Sequence, residues 1–320
     1  MTLWIALPLA VLALAALGLW LHHLFEGEWL PADLWRERRL ARLSLAGLDR
    51  RWAAAPDRSD IVVTLTTTPS RIGLLAPTLK SLLDQSRPPA RIVLNVPRFS
   101  QREQVAYAVP RDLAALQSVQ IRRCDDLGPG TKLIPSVAAE PPDTPLLAVD
   151  DDRIYPAWLV LHYERAAARW PDRALTLSGW VVPADLTDRM TTIRSNLFMR
   201  PPAPIRAPRL RAPRRVDIFQ GVMSYLVRPR FFDAAQMADF SGQPPELRFV
   251  DDVRSSALCS AEIWVIPAPS LSFVPRAQAG ALQSSRLGLV NRVAGEGHNR
   301  NNTIALQHFA DCWRVGGRAR

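Results

Sequence analysis

Cysteine and lysine are both scarce in this chain of 320 residues. The three cysteines, Cys124, Cys259 and Cys312, are odd in number and far apart, so we expect neither a disulfide framework nor a cysteine-based zinc site. Lys80 and Lys132 are the only lysines, and arginine supplies the rest of the 40 basic residues. Periodic glycine is absent, which excludes a fibrous protein, and an apolar content of 48% excludes intrinsic disorder. The length suffices for the core of one large domain or two small ones.

The chain is basic, with a net charge of +10 against only 30 acidic residues. Such a balance is typical of proteins that bind nucleic acid, an anionic membrane surface or phosphorylated substrates. Because no RNA-binding, zinc-finger or homeodomain pattern occurs, we expect no nucleic-acid partner. A membrane or a phosphorylated substrate is the remaining explanation for the charge.

A long apolar run opens the chain. Residues 3–25 contain no Asp, Glu, Lys or Arg, and a helix of this length can cross the roughly 30 Å hydrocarbon layer of a bilayer. Trp4, Trp20 and Trp29 lie near its ends, where indole rings favour the membrane interface. A cleaved signal peptide is the alternative, but no basic residue precedes the run and it continues past the Ala13–Ala15 site. We therefore predict a transmembrane anchor over residues 1–25.

The charges that flank this run predict its orientation. Basic residues follow it but do not precede it: Arg36, Arg38, Arg39, Arg42, Arg50 and Arg51. The positive-inside rule then places the rest of the chain in the cytoplasm, as a single-pass protein of the inner membrane. We interpret residues 26–59 as a basic juxtamembrane linker, which either contacts anionic headgroups or forms a solvated helix.

Apolar strands alternate with helical patterns after residue 60. Strand patterns occur at 61–65, 91–96, 119–123 and 146–149, and helical spacing occurs at 74–83 and 158–170. This alternation predicts an α/β fold with a mostly parallel sheet flanked by helices, over one domain of residues 60–275. Residues 276–320 are expected to form a C-terminal tail.

Prolines and arginines interrupt the domain over residues 190–218. Their density predicts a break in regular structure. We interpret the stretch either as a mobile lid that receives an anionic or lipid-linked acceptor, or as a disordered surface insertion.

Three consecutive aspartates form the strongest chemical signal. Asp150, Asp151 and Asp152 follow the apolar strand 146–149 directly, and ligands of open α/β sheets collect at the carboxyl ends of strands. In an extended segment Asp150 and Asp152 point the same way, so they can approach one ion together, and oxygen ligands favour Mg²⁺ or Mn²⁺. The alternative is a solvated acidic turn.

A second polar segment follows the third strand. Asp125 or Asp126 could bind a ribose hydroxyl or a base edge, and Lys132 could offset phosphate charge. Gly128 and Gly130 would permit close approach of the backbone. The spacing is not that of a P-loop, and an ordinary turn before a helix is the alternative.

Three further positions are candidates. Asp251 and Asp252 open a predicted helix, where one acid could cap it and the other could act as a general base. In the segment 66–71, the hydroxyl of Thr67 and the guanidinium of Arg71 could bind the base and phosphate of a nucleotide. The alternative is a proline-containing turn that binds no ligand. His298 lies in a polar stretch and could supply an imidazole to a metal, with a plain surface histidine as the alternative.

In order and spacing, these motifs resemble those of the GT-A glycosyltransferases, specifically the bacterial family-2-like enzymes. The resemblance covers residues 60–267. It rests on four segments: the strand end at 66–72, Gly128–Lys132, the strand-borne aspartates and Phe249–Asp252.

The resemblance implies a Rossmann-like GT-A fold, a nucleotide-sugar donor, expected to be a UDP-sugar, and a Mn²⁺ or Mg²⁺ ion. Asp150 and Asp152 take the metal-binding places of the DXD motif, with His298 as a further candidate ligand. The catalytic base of inverting members falls on Asp252, with Asp251 next. The remaining donor-binding candidates are Thr67, Arg71, Asp125, Asp126, Lys132 and Asp151.

The acceptor motif of processive members, Gln/Arg-x-x-Arg-Trp, is absent from the sequence. Together with a single predicted membrane span, this favours one transfer per acceptor over polymer extrusion. The expected acceptor is a hydroxyl of a cell-surface glycan or of a lipid-linked molecule.

Two other classes fit some of the same residues. Haloacid-dehalogenase-type phosphatases have similar strand ends, which residues 146–152, 176–178 and 250–252 imitate. That fold requires a lysine between its second and last motifs, but both lysines here precede Asp150. It also normally begins at the first motif, whereas about 90 residues of strand-helix pattern precede the aspartates here. A binding protein that has lost catalysis is the non-enzymatic alternative.

Overall fold

The computed structural model describes residues 2–283 and 300–317. The helices are α1 (Thr2–Glu26), α2 (Leu30–Ala41), α3 (Leu45–Ala53), α4 (Ala76–Leu83), α5 (Arg111–Ala114), α6 (Ile134–Ala139), α7 (Leu159–Arg169), α8 (Ile193–Phe198), α9 (Ala234–Ala238), α10 (Asp251–Leu258), α11 (Ala279–Gln283) and α12 (Arg300–His308).

The strands are β1 (Val62–Thr66), β2 (Arg91–Pro97), β3 (Phe99–Ser100), β4 (Val105–Ala106), β5 (Val119–Cys124), β6 (Leu146–Ala148), β7 (Arg173–Thr176), β8 (Ser178–Trp180), β9 (Ile205–Arg206), β10 (Arg214–Val216), β11 (Ile218–Phe219), β12 (Tyr225–Val227) and β13 (Glu262–Val265).

A mostly parallel sheet of eight strands forms the centre of the fold, in the order β10-β13-β7-β12-β6-β1-β2-β5. Val62 of β1 pairs in parallel register with Arg91 of β2 on one side and with Leu146 of β6 on the other. Only β12 and β10 pair antiparallel with their neighbours. The predicted α/β fold is confirmed.

Continuous apolar runs build this sheet, as expected for strands that are covered on both faces. Val63 of β1, Val93 of β2 and Leu147 of β6 have no exposed surface. The helices bury their own apolar residues in the same core, among them Leu79 of α4 and Tyr163 of α7. Burial of each such side chain contributes roughly 1.5–3 kcal/mol of transfer free energy.

The parallel arrangement brings several chain segments to one edge. The carboxyl ends of β1, β2, β5 and β6 lie side by side there, because these strands run in the same direction. β12 runs the opposite way, so the residues that precede it reach the same edge. The polar motifs at 66–68, 125–132, 150–152 and 220–224 therefore converge.

Residues 26–59 fold as two helices against the domain. On α2 the side chains of Arg36 and Leu40 are buried, and α3 buries Leu48 and Asp49. Arg36 Nε donates to the Tyr155 carbonyl at 2.6 Å, and the Tyr155 hydroxyl contacts the backbone of Asp150. The segment after the apolar run is thus attached to the loop that carries the aspartates.

Asp84 at the end of α4 connects α2 and α3 to the domain. Its carboxylate is 6% exposed and contacts three guanidinium groups, with Arg36 at 3.3 Å and Arg51 at 3.0 Å. Arg39 completes the set with a hydrogen bond of 2.9 Å. Since Arg36 is also buried, loss of this carboxylate would leave a buried cation without its counter-ion.

The apolar helix α1 extends away from the rest of the described chain. Over Leu7–Glu26 the mean hydropathy is 1.8 and no residue is buried. Leu7, Leu14 and Trp20 are each more than half exposed. By length and composition this helix can cross a membrane, and a signal sequence would pass the same test.

Short regular elements occur within residues 190–218, where the prolines predicted a break. α8 and β10 belong to this stretch, and β9 joins β8 and β11 in a three-stranded sheet. The expectation of no regular structure here was wrong, because helix capping and strand pairing fit between the prolines.

Asp84→Asn is expected to lower the free energy of unfolding by about 3–5 kcal/mol, because removing one charge of a buried ion pair leaves the other unpaired. Thermal unfolding of the full chain in detergent measures the effect. Asp57→Asn is the matched control, since the Asp57 carboxylate is 78% exposed and pairs with the partly exposed Arg87. Equal midpoints for the two variants would contradict a structural role for Asp84.

Candidate active site

A cavity of about 660 Å³ opens at the carboxyl edge of the large sheet. Its wall contains most of the residues that the sequence motifs singled out: Thr67, Arg71, Asp126, Lys132, Asp150, Asp151, Asp152, Asp251 and Asp252. These residues are far apart in the chain: 185 positions separate Thr67 from Asp252. The topology of the sheet therefore gathers the separate motifs into one site.

One predicted site residue, Asp125, does not belong to this cavity, and another, His298, is not among the described residues. Asp125 is exposed and does not line the cavity, whereas Asp126 does. The Asp126 carboxylate accepts from the backbone N–H groups of Gly128 at 2.9 Å and Gln101 at 2.7 Å. His298 lies outside the described residues, so its proposed role as a metal ligand stays a prediction.

The ammonium group of Lys132 lies at the meeting point of three carboxylates. Its Nζ is 2.9 Å from Asp150 Oδ1, 2.9 Å from Asp251 Oδ2 and 3.6 Å from Asp252 Oδ1. The side chain of Lys132 is only 7% exposed. The strand-end aspartate and the late acidic pair thus share one cation.

Buried polar side chains of the sheet hold Lys132 in place. The Thr64 hydroxyl of β1 donates to the Lys132 carbonyl at 2.6 Å, and the Asn95 amide of β2 donates to the same oxygen at 3.3 Å. Both also contact the Ser136 hydroxyl, at 2.7 and 3.1 Å. The sequence analysis missed this cluster, although a threonine and an asparagine inside fully apolar strands were a signal for it.

The charge state of Lys132 follows from these contacts. Burial alone would lower the pKa of Lys132, but the carboxylates of Asp150, Asp251 and Asp252 hold it well above its usual value. Burial raises the pKa of Asp252 to about 7, although Lys132 opposes the shift. At neutral pH the site therefore holds a permanent cation beside a carboxyl group that can exchange a proton.

Arg71 is the counter-ion of the other two aspartates. Its Nη2 lies 2.7 Å from Asp151 Oδ1 and 2.7 Å from Asp152 Oδ2. Asp151 also accepts from the Thr67 hydroxyl at 2.6 Å. Burial raises the pKa of Asp151 to about 7, and Arg71 counteracts this shift.

The three aspartates are thus divided between two cations, Asp150 toward Lys132 and Asp151 and Asp152 toward Arg71. Joint coordination of one ion by Asp150 and Asp152 stays a prediction. Among residues 2–283 and 300–317, no group of three or more His, Cys, Asp or Glu side chains is arranged to hold a metal.

The donor chemistry nevertheless suits a hard cation. Five carboxylates, at positions 150–152 and 251–252, face the two cations Lys132 and Arg71. Asp251 Oδ2 and Asp252 Oδ1 are buried and face Lys132 as ion pairs, at 2.9 and 3.6 Å. Clustered carboxylate oxygens are the ligands that Mg²⁺ and Mn²⁺ favour.

Gly221 fits closely against this cluster. Its N–H donates to Asp252 Oδ2 at 2.9 Å. A Cβ at this position would lie 2.2 Å from Lys132 Nζ and 2.8 Å from Asp252 Oδ1. Only glycine leaves room for the ion pair, which makes Gly221 a site residue that the candidate set did not include.

The C-terminal helix α12 closes one side of the cavity. Asn302 lines the wall, and its amide donates to Asp188 at 2.7 Å. Ala305 and Leu306 pack with Trp180 and Val250, so the helix is fixed beside the late acidic pair. The tail predicted for residues 276–320 thus contributes directly to the site.

Comparison with known proteins finds likenesses of fold at low sequence identity. The chain is similar to S. aureus TarS 1–349, with 12% identity, a TM-score of 0.40, and coverage of 78% of this chain and 70% of that one. It is also similar to the mannosyltransferase PcManGT from Pyrobaculum calidifontis, solved with GDP-Man and Mn²⁺, with 13% identity, a TM-score of 0.41, and coverage of 87% and 76%.

A third similar structure is 4-diphosphocytidyl-2C-methyl-D-erythritol synthase, with 13% identity, a TM-score of 0.34, and coverage of 59% of this chain and 88% of that one. No protein-family model matches the chain, and no curated protein matches its sequence. At these values an activity has to be inferred from the residues of the site.

Gly221→Ala is expected to lower the free energy of unfolding by about 1–3 kcal/mol, since overpacking next to Lys132 forces the ion pair apart. Gly73→Ala is the control, because a Cβ at Gly73 meets no atom within 4 Å. Chemical denaturation of both variants checks this. A Gly221→Ala protein as stable as Gly73→Ala would contradict the close fit.

Proposed function

We propose that this chain is a membrane-anchored glycosyltransferase, which moves a sugar from a nucleotide-sugar donor to a hydroxyl acceptor. The supporting observation is the convergence of Lys132, Arg71 and the two acidic clusters in one cavity at the carboxyl edge of a parallel sheet. Nucleotides bind at this edge in open α/β folds. The resemblance of the motifs to GT-A enzymes points to the same chemistry.

The donor diphosphate would bind between Lys132 and Arg71. Both side chains are cationic but already face carboxylates, so a diphosphate needs a further positive charge to enter. Asp150 and Asp152 would hold a Mn²⁺ or Mg²⁺ ion, which when bound stabilises the negative charge on the leaving diphosphate. Thr67, Asp126 and Asp151 line the same cavity and would orient the nucleoside and sugar. We take UDP as the carrier nucleotide.

Asp252 is the best placed general base. Its carboxylate lies in the cavity, is 29% exposed and has a pKa raised by burial to about 7. Such a group accepts a proton efficiently near neutral pH. Asp251 is less exposed, at 12%, and closer to Lys132, so it serves to hold the ammonium group.

The transfer is a displacement at the anomeric carbon of the donor sugar. The acceptor oxygen forms a bond to that carbon as the bond to the diphosphate oxygen breaks. The electron pair of the broken bond leaves with the nucleoside diphosphate, and the acceptor proton passes to Asp252. Attack from the face opposite the leaving group inverts the anomeric configuration.

The acceptor would enter beside Trp180 and Gln220, which line the cavity next to Gly221. A glycan or lipid-linked hydroxyl suits a protein anchored by α1, with its catalytic domain on the cytoplasmic side of the inner membrane. A single transfer, with no processive extension, agrees with the one apolar helix long enough to span a bilayer within the described residues.

A phosphatase of the haloacid-dehalogenase type is less well supported. In that reading a hydroxyl of the 176–178 motif would contact substrate. Thr176 and Ser178 are both buried, and their hydroxyls donate to the Ser224 carbonyl and to Gln220 Oε1. Neither residue lines the cavity that holds the aspartates.

Asp150→Asn combined with Asp152→Asn is expected to abolish Mn²⁺-dependent binding of UDP, since two of the carboxylates that would hold the ion are neutralised. Isothermal titration calorimetry with and without Mn²⁺ measures the loss. The control is Asp143→Asn, because the Asp143 carboxylate is 75% exposed and pairs with Arg230. Unchanged UDP affinity in the double variant would reject the metal assignment.

Asp252→Asn is expected to lower turnover by about 10²-fold or more, the usual contribution of a general base. Donor affinity should stay close to that of the parent, because the amide keeps the shape of the carboxylate. Release of nucleoside diphosphate in the presence of acceptor gives turnover, and calorimetry gives affinity. Survival of activity would move the role of base to Asp251.

A further inference from the structure

Helix α8 exposes large apolar side chains. Ile193 is 80% exposed, Phe198 57% and Leu197 44%, and Met190 just before the helix is 60% exposed. Scattered apolar residues are normal on a protein surface, but a contiguous group of large ones marks an interaction site. These four residues are named the α8 surface.

Two polar residues of α8, Ser195 and Asn196, face the protein, whereas Arg194 is exposed together with the apolar side chains. Ser195 is buried and forms a capping box with Thr192. The Asn196 side chain accepts from Arg206 at 2.8 Å, and Arg209 donates to the carbonyl oxygens of Asn196 and Leu197. The helix is thus held with its apolar side chains outward by specific hydrogen bonds.

The chain around α8 is rich in positive charge. Residues 190–216 contain seven arginines and no Asp or Glu. Arg194, Arg200 and Arg211 are exposed, while Arg206 and Arg209 support the helix. Exposed apolar side chains accompanied by exposed arginines are typical of surfaces that lie in the headgroup layer of an anionic membrane.

The end of the apolar helix α1 lies beside the segment that supports α8. A Cβ built at Gly27 would be 3.4 Å from Cγ of Pro208, in the segment that supports α8. Burial lowers the pKa of Arg206, and Glu26, the last residue of α1, opposes that shift. The end of α1 therefore lies against the segment 206–208, whose Arg206 is hydrogen-bonded to Asn196 of α8.

We propose that the α8 surface is a second membrane contact, in which Ile193, Leu197 and Phe198 insert at the headgroup level of an anionic phospholipid bilayer and Arg194 and Arg200 contact lipid phosphates. This inference rests on the proposed anchoring by α1 and not on the catalytic assignment.

The contact is one strand away from the cavity. β9, which supplies Arg206, pairs with β8 through Ser178 and Arg206, and β8 ends at Trp180 in the cavity wall. Two attachments, α1 and the α8 surface, would fix the orientation of the domain on the membrane. A lipid-linked acceptor would then meet the cavity in a constant geometry.

The test uses the full chain in lipid nanodiscs, with an environment-sensitive NBD label on one introduced cysteine. Cys124 and Cys312 are first replaced by serine, and buried Cys259 is kept. Labels at Ile193→Cys, Leu14→Cys and Val105→Cys report on the α8 surface, on α1 and on an exposed apolar residue of β4 outside residues 190–218. Doxyl-labelled phospholipids then quench any NBD group within the bilayer.

In phosphatidylglycerol discs, we expect quenching at 193 to approach that at 14, with little at 105. In phosphatidylcholine discs, or with Arg194→Gln and Arg200→Gln, quenching at 193 should fall while that at 14 persists. Quenching at 14 without quenching at 193 overturns the second contact and leaves the anchor intact. Loss of quenching at both positions overturns the second contact and the anchor together. A label at position 193 that is shielded from water but not quenched by lipid indicates a protein partner, and this result also overturns the proposal.

Discussion

One buried ammonium group, that of Lys132, joins two acidic clusters that are about a hundred residues apart in the chain. It contacts Asp150 at the end of β6 and the Asp251–Asp252 pair at the start of α10. Carboxylates at such close range would repel each other in a low-dielectric site without a shared cation. The cavity, its charge and the close fit of Gly221 all depend on this contact.

Hydrogen bonds from the surrounding structure fix the position of that contact. Thr64 and Asn95 fix the backbone of Lys132 from inside the sheet. Arg36 reaches the aspartate loop through Tyr155, so the helices that follow α1 are coupled to the site. Within this set of ion pairs, five carboxylates face Lys132 and Arg71, so the cluster itself is short of positive charge. This deficit is the physical reason to expect a metal ion together with a diphosphate.

The sequence predicted the strands and their polar ends well, because strands buried on both faces are short, apolar and followed by turns. It did not predict that Lys132 would meet Asp150 and Asp251, since this depends on how the turn at 128–132 lies against α10. It also missed the packing of α2 and α3. Their arginines suggested either contact with anionic headgroups or a solvated helix, yet Arg36 and Asp84 form a buried ion pair.

The most direct test of the account is a thermal-shift series on the full chain with nucleoside diphosphates, with and without Mn²⁺. A nucleoside diphosphate is expected to raise the unfolding midpoint only when Mn²⁺ is present, while inorganic phosphate should have little effect. Stabilisation of equal size without the metal would contradict the role given to the acidic cluster. No stabilisation by any nucleoside diphosphate would contradict the account as a whole.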